Sequence, residues 1–191
     1  MTRLMWPVLA LLILMLGGCA TNSPSGTEPQ AWLKRGVQVK LPAPLLDKPV
    51  SQQQLLTATV NGKQQSLLVL LNADGKSLQL AGLSPLGIRL FKVVYDQTGI
   101  HTEQAIKIEG LPPVNQVLAD IMLSYWPVQS WQPLLPAGWT FDEQPLRRTL
   151  LDNEGHAVTR IDYVAQGGTR QPVSITQMAF HYQITIQNVG E

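Results

Sequence analysis

Between Ser66 and Gly99 the chain repeats one pattern. Short runs rich in Leu and Val are broken by Asn72-Ala-Asp-Gly75, Ser84-Pro-Leu-Gly87 and Asp96-Gln-Thr-Gly99. Apolar runs of this length, bounded by Gly- and Pro-containing turns, predict an antiparallel meander. Just before it, Gln53–Val60 and Gln64–Leu71 flank Asn61-Gly62-Lys63. Asn-Gly tolerates the positive φ angles of a tight turn, so these two runs predict a hairpin. Val37–Leu41 alternates like a further strand, and Pro42, Pro44 and Pro49 then enforce an extended crossing. Upstream, Gln30–Gly36 reads as a short helical turn closed by glycine. In Ile88–Tyr95 both parities are apolar: Ile88, Leu90 and Val94 on one, Phe91, Val93 and Tyr95 on the other. That strand is expected to be covered on both faces. Ile100–Ile108 follows as another strand.

The period then changes. Val117, Leu118, Ile121, Met122 and Tyr125 form one stripe of a helix that Asn115 can cap and Pro127 ends. Asp120 falls outside the stripe and is expected to face solvent. Were it inside, it would need a partner such as Arg89, Arg147 or Arg160. Trp126, Trp131 and Trp139 cluster in the Pro-rich segment that follows and are expected to anchor the core. The last third returns to strands, with Arg147–Leu151 and Ala157–Ala165 joined by the turn Asn153-Glu-Gly155, and another hairpin at Gly167-Gly168. From Gln177 to Gln187, Met178, Phe180, Tyr182, Ile184 and Ile186 alternate with Gln177, His181, Gln183, Thr185 and Gln187. This predicts one strand with a single wet face. Strands on both sides of one helix point to a mainly β, α+β domain in which a strongly curved sheet wraps the helix.

Composition narrows the possibilities. The chain has 191 residues, room for one domain with a sizeable core. Charged residues are 14%, against roughly 25% in ordinary soluble domains. Such a chain buries an unusual share of itself or leaves apolar surface for a partner. A net charge of +1 makes no electrostatic case for nucleic acid. Arg3 precedes the apolar run Leu4–Leu16, too short to span a bilayer, so residues 1–18 read as a secretory signal peptide. Leu16-Gly17-Gly18-Cys19 resembles the lipobox of bacterial lipoproteins, which implies that Cys19 is acylated and becomes the mature N-terminus. Ala20 after the cysteine implies sorting to the outer membrane, facing the periplasm. As the single cysteine, Cys19 leaves no disulfide framework. Residues 19–29 are then the lipidated Cys and a tether spanning on the order of 20 Å, and residues 30–191 a single domain.

Candidate catalytic chemistry is sparse. Gly82-Leu-Ser84-Pro-Leu-Gly87 has one residue too many for a nucleophile elbow and lies between two strands. His101, His156 and His181 lie far apart, without metal-ligand spacing, and no phosphate-binding glycine loop is present. Neither an enzyme nor a metal or cofactor site is expected.

Leu86 is the unusual residue, an apolar side chain at what should be the most solvated point of the meander. It either folds back onto the sheet or is exposed for a purpose. The lipobox, the tether, the strand Leu67–Leu71, the Asn-x-Asp-Gly turn and above all Ser84-Pro85-Leu86-Gly87 together resemble the lipoprotein-carrier superfamily of the outer-membrane receptor LolB and the periplasmic carrier LolA. The helix from Asn115, Leu135-Pro136-Ala137-Gly138, the Ile161-Asp-Tyr163 strand and the terminal strand continue the likeness. The chain is also similar to a lipoprotein group found in gene clusters for aryl-polyene lipids. The resemblance implies an incomplete antiparallel barrel closed by one or two helices over an apolar cavity that holds acyl chains. Candidate lining residues are Leu78, Leu80, Leu90, Phe91, Ile121, Met122, Tyr125, Met178, Phe180 and Tyr182. It further implies a membrane-engaging loop, Ser84, Pro85, Leu86 and Gly87, in which Ser84 stands where LolB has Asn. A carrier of this kind would bind a lipid, acylated or polyene-like cargo, accept it from a LolA-like partner and deliver it to the membrane. The competing expectation is a structural lipoprotein that docks an envelope partner and holds no ligand.

Overall fold

The computed structural model describes residues 29–84, 86–104 and 112–189. The expected signal peptide, Cys19, the expected tether up to residue 28, Pro85 and the end of the expected Ile100–Ile108 strand lie outside the described residues. Two strands, β1 (Gln30–Lys34) and β2 (Val37–Lys40), form a separate hairpin. Then come β3 (Val50–Val60), β4 (Lys63–Ala73), β5 (Leu78–Leu83), β6 (Arg89–Asp96) and β7 (Gly99–Gln104). After α1 (Val114–Tyr125), α2 (Val128–Trp131) and a 3-10 turn (Gln132–Leu134), β8 (Thr140–Gln144), β9 (Arg147–Leu151), β10 (Ala157–Gln166), β11 (Thr169–Gln177) and β12 (Tyr182–Asn188) complete the order.

Ten strands make one curved antiparallel sheet, ordered β7-β6-β5-β4-β3-β12-β11-β10-β9-β8, which does not close. The two meanders are joined by pairing β12 to β3, with Ile184 opposite Ala58. Bulges at Gly82/Leu83, Asp162/Tyr163 and Ala157/Thr159 add local twist, which bends the sheet toward a half-barrel. At the β3–β4 turn Asn61 and Gly62 take φ of 49° and 75°, the two positive angles that the Asn-Gly pair predicted.

Helix α1 lies inside this curve. The sheet covers one side and β1 packs on another. The crossing at residues 41–49 is held by Tyr95 Oη donating to the Pro42 carbonyl (2.9 Å), Trp126 Nε1 to Ala43 (3.0 Å), and Leu46 N to Asp74 (2.9 Å). Consequently Leu118 through Ser124 are buried without a break, and the single stripe expected for this helix is too narrow. Trp126, Trp131 and Trp139 are buried, as core anchors should be.

Four sequence expectations are corrected. Residues 30–36 are not a helical turn but β1 and its turn, with Ala31 and Leu33 buried and Trp32 exposed. Asn115 does not cap α1; Pro113 holds that position, and Asn115 Nδ2 donates instead to the Gln30 carbonyl at 2.6 Å. β6 is not covered on both faces: Val93 and Tyr95 are buried, whereas Ile88 is exposed and Val94 only half-buried. The terminal strand is interrupted by a turn at residues 178–181, where His181 takes φ of 56°. Its wet face holds from Tyr182 onward, but Gln177 is buried.

Candidate functional site

Beneath α1 the sheet leaves an apolar cavity of about 320 Å³. Leu56, Ala58 and Val60 of β3, Leu67 and Val69 of β4 and Ile184 of β12 pave its floor. These positions follow the period of two that sends alternate side chains inward. Val117 and Ile121, one turn apart on α1, form the roof. Leu80, Leu90 and Phe91 make the wall. Phe91 owes its place to a glycine: a Cβ on Gly82 would lie 2.2 Å from the Phe91 Cε1, so only glycine lets the ring lie there. A second, wider pocket of about 730 Å³ adjoins the first and shares Val60, Pro112 and Tyr182 with it.

Ser84 lines the cavity and also begins the loop that carries Leu86. The Ser84 hydroxyl accepts from the N–H groups of Leu86 (3.3 Å) and Ile88 (3.2 Å). Ser84 N donates to the Ile88 carbonyl and Gly87 N to the Ser84 carbonyl, both at 2.9 Å. Gly87 supplies φ of 78°, which an L side chain resists. The loop is thus self-braced, and it holds Leu86 outward at 86% exposure beside Ile88 at 58%. Leu86 does not fold back onto the sheet.

A polar network borders the cavity at Tyr182. Asp120 is 1% exposed, which overturns the expectation of a solvent-facing carboxylate. Its partners are none of the arginines. Tyr182 Oη donates to Oδ2 at 2.5 Å and Gln177 Nε2 to Oδ1 at 2.6 Å, with Gln116 Nε2 farther off at 3.5 Å. Thr159 Oγ1 donates to Gln177 Oε1 at 2.9 Å. Cross-strand register sets this row, since Thr159 pairs with Gln177 and Gln177 with Tyr182. Burial pushes the Asp120 carboxyl up to about 6, against the hydrogen bonds that favour its ionised form. Burial and the neighbouring carboxylate likewise push the Tyr182 phenol up.

Of the ten lining candidates, Leu80, Leu90, Phe91, Ile121 and Tyr182 lie on the apolar cavity, and Phe180 on the adjoining pocket. Leu78 and Met122 are fully enclosed in the core. Tyr125 turns its hydroxyl to Gln52 and Gln54, and Met178 sits half-buried in the turn after β11. Sequence reasoning missed the β3 and β4 floor, although Leu56, Ala58 and Val60 alternate plainly, and missed the Asp120 network altogether. Among the described residues no group of three or more His, Cys, Asp or Glu is placed to hold a metal ion. Nor is any helix among them long and apolar enough to cross a membrane.

Fold and cavity define a class: an open antiparallel half-barrel with an internal helix over an apolar chamber. The chain belongs to the DUF3261 family, described as proteins of unknown function, whose model matches residues 51–190. That span runs from the second residue of β3 through β12, so it takes in α1 and all of the ten-stranded sheet except Val50, but not the β1–β2 hairpin. No curated protein matches the chain.

Proposed function

We propose that this protein is an outer-membrane lipoprotein, anchored through an acylated Cys19 and facing the periplasm, that binds a lipid, acylated or polyene-like molecule and delivers it to the membrane. One juxtaposition carries the reading: an apolar chamber of about 320 Å³ shares Ser84 with the braced loop that holds Leu86 at 86% exposure. The resemblance to LolB and LolA supports it, and the substitution of Ser for Asn at position 84 is chemically mild. Either residue offers a side-chain oxygen to the loop N–H groups, which is what Ser84 does here.

The energetics limit how delivery can work. Burying a sixteen-carbon chain contributes on the order of 12 kcal/mol whether the chain enters protein or bilayer. Net transfer then depends on a small difference between two large terms, and its rate on the barrier to exit. A leucine inserted into the headgroup region beside the cavity lowers that barrier by letting the chain move from one apolar surface to another without crossing water. A periplasmic LolA-like carrier is the proposed donor.

Leu86→Glu is expected to fold normally, within about 0.5 kcal/mol of the parent because the residue is exposed, yet to lose delivery of bound lipid to liposomes. Unchanged transfer would remove Leu86 from the mechanism. Native mass spectrometry of the protein without its own anchor is expected to find a co-purifying lipid. A consistently empty domain would instead favour a lipoprotein that docks an envelope partner and carries nothing.

A further inference from the structure

The chamber and the adjoining pocket differ in chemistry, and the difference bears on what kind of head the carried molecule has. The chamber is apolar apart from Gln65, Ser66 and Ser84 at its margin and the Tyr182 hydroxyl, which is engaged by Asp120. The adjoining pocket is lined by Gln30, Gln38, Thr102, Asn115 and Gln116 together with apolar side chains. Among the described residues neither lining contains Lys, Arg, Asp or Glu. A site built for phosphate or carboxylate ordinarily supplies Arg or Lys, whose charged donors offset the loss of hydration. Amide side chains and a hydroxyl suit oxygen atoms that carry no charge.

The nearest buried charge has the wrong sign for an anion. Asp120 stands directly behind Gln116 and Tyr182, which line the adjoining pocket and contact its carboxylate. The opposing influence is the start of α1, whose residues Val114 to Gln116 line the same pocket without a side-chain cap. A helix start is equivalent to about half a positive charge, less than the full negative charge of an ionised Asp one turn farther in. Part of that influence is already spent within the turn, since Gln116 N donates to the Pro113 carbonyl at 2.8 Å. Chamber size adds one more constraint, since about 320 Å³ lies at the small end of ligand sites and suits one chain.

We propose that the molecule carried here is a single-chain lipid with an uncharged, oxygen-bearing head, and that chains ending in phosphate or carboxylate are disfavoured. This rests on the carrier reading above. The test uses residues 19–191 carrying Cys19→Ser behind a cleavable secretion signal in place of residues 1–18, so that neither the acyl anchor nor the apolar run Leu4–Leu16 is present. Tritiated monopalmitoylglycerol is displaced by unlabelled monopalmitoylglycerol, palmitate or palmitoyl lysophosphatidate. The uncharged lipid is expected to bind at least about tenfold more tightly than either anion. Asp120→Asn is expected to narrow the gap to about threefold, because the charge that opposes anions is gone. Should Asp120→Asn fail to fold, the ratio in the parent chain decides. Anions that bind as tightly as monopalmitoylglycerol overturn the proposal and leave the carrier reading standing. A protein that binds none of the three overturns the carrier reading itself.

Discussion

Asp120 is a carboxyl group held in surroundings that oppose its ordinary chemistry. In water its carboxyl titrates near 3.8, and in the fold near 6. Between those two values the native state holds a proton that the unfolded chain has released. Stability from this group is fully present below 3.8 and is lost as pH rises through about 6. The loss amounts to roughly 3 kcal/mol at most. Asp120→Asn keeps an acceptor for Tyr182 and removes the titration. The difference in unfolding free energy between parent and variant, measured by urea denaturation from pH 4 to pH 7, should shift in favour of the variant as pH rises. A difference independent of pH would mean that the carboxylate is solvated. Gly82 gives a second test. In Gly82→Ala the new methyl group meets the Phe91 ring, which must swing away from its place on the cavity wall. Lipid capacity should fall while far-UV circular dichroism stays the same.

Among the elements, α1 depends most on others, and one arginine fastens its end. Arg148 on β9 is 4% exposed and donates from Nη1 to the carbonyls of Leu123 (2.5 Å) and Trp126 (2.8 Å). Tyr163 Oη donates to the Ser124 carbonyl at 2.9 Å. These are carbonyls that a helix leaves unpaired at its C-terminal end, and a cation there also meets the negative end of the dipole. The guanidinium is held from behind by Glu143, whose carboxyl it and Arg170 keep below the usual range. Arg148→Met should lower unfolding stability by about 2–4 kcal/mol, because two buried carbonyls lose their donor. Arg148→Lys should recover part of this, since a single ammonium cannot serve both carbonyls and Glu143 in one plane. A variant as stable as the parent would show that water replaces the guanidinium.

The molecule as a whole is an open sheet that gains from what fills it. A ligand that binds only the folded state stabilises it by mass action, by about 2.7 kcal/mol at a hundred times its dissociation constant. The delipidated protein should therefore unfold at a lower temperature than the protein saturated with monopalmitoylglycerol. Equal transitions would speak against a lipid in the chamber. Openness also places the two meanders on opposite sides of the β3–β12 junction, so the floor of the cavity comes from residues 126 positions apart, Ala58 and Ile184.

Local patterns in the chain were enough to specify much of this. The Asn61-Gly62 hairpin, the turns at Asp74 and Gly87, the position of α1 and the buried tryptophans all follow from short-range rules, because turn geometry and helical period depend on neighbours a few residues away. The turn at Ser84 to Gly87 belongs here too, whereas the outward position of Leu86 was left open by local pattern and was decided by the hydrogen bonds to the Ser84 hydroxyl. What else local pattern left open was decided by packing. Asp120 lies off the apolar stripe of its helix, yet β1 and the sheet enclose α1 from more than one side, so off the stripe did not mean toward water. Gln177 and Tyr182 differ in parity, yet a turn without glycine, proline or asparagine lies between them and brings both to the same carboxylate. Burial from several directions and a phase shift in an unmarked turn are properties of the assembled chain, and no window of sequence contains them.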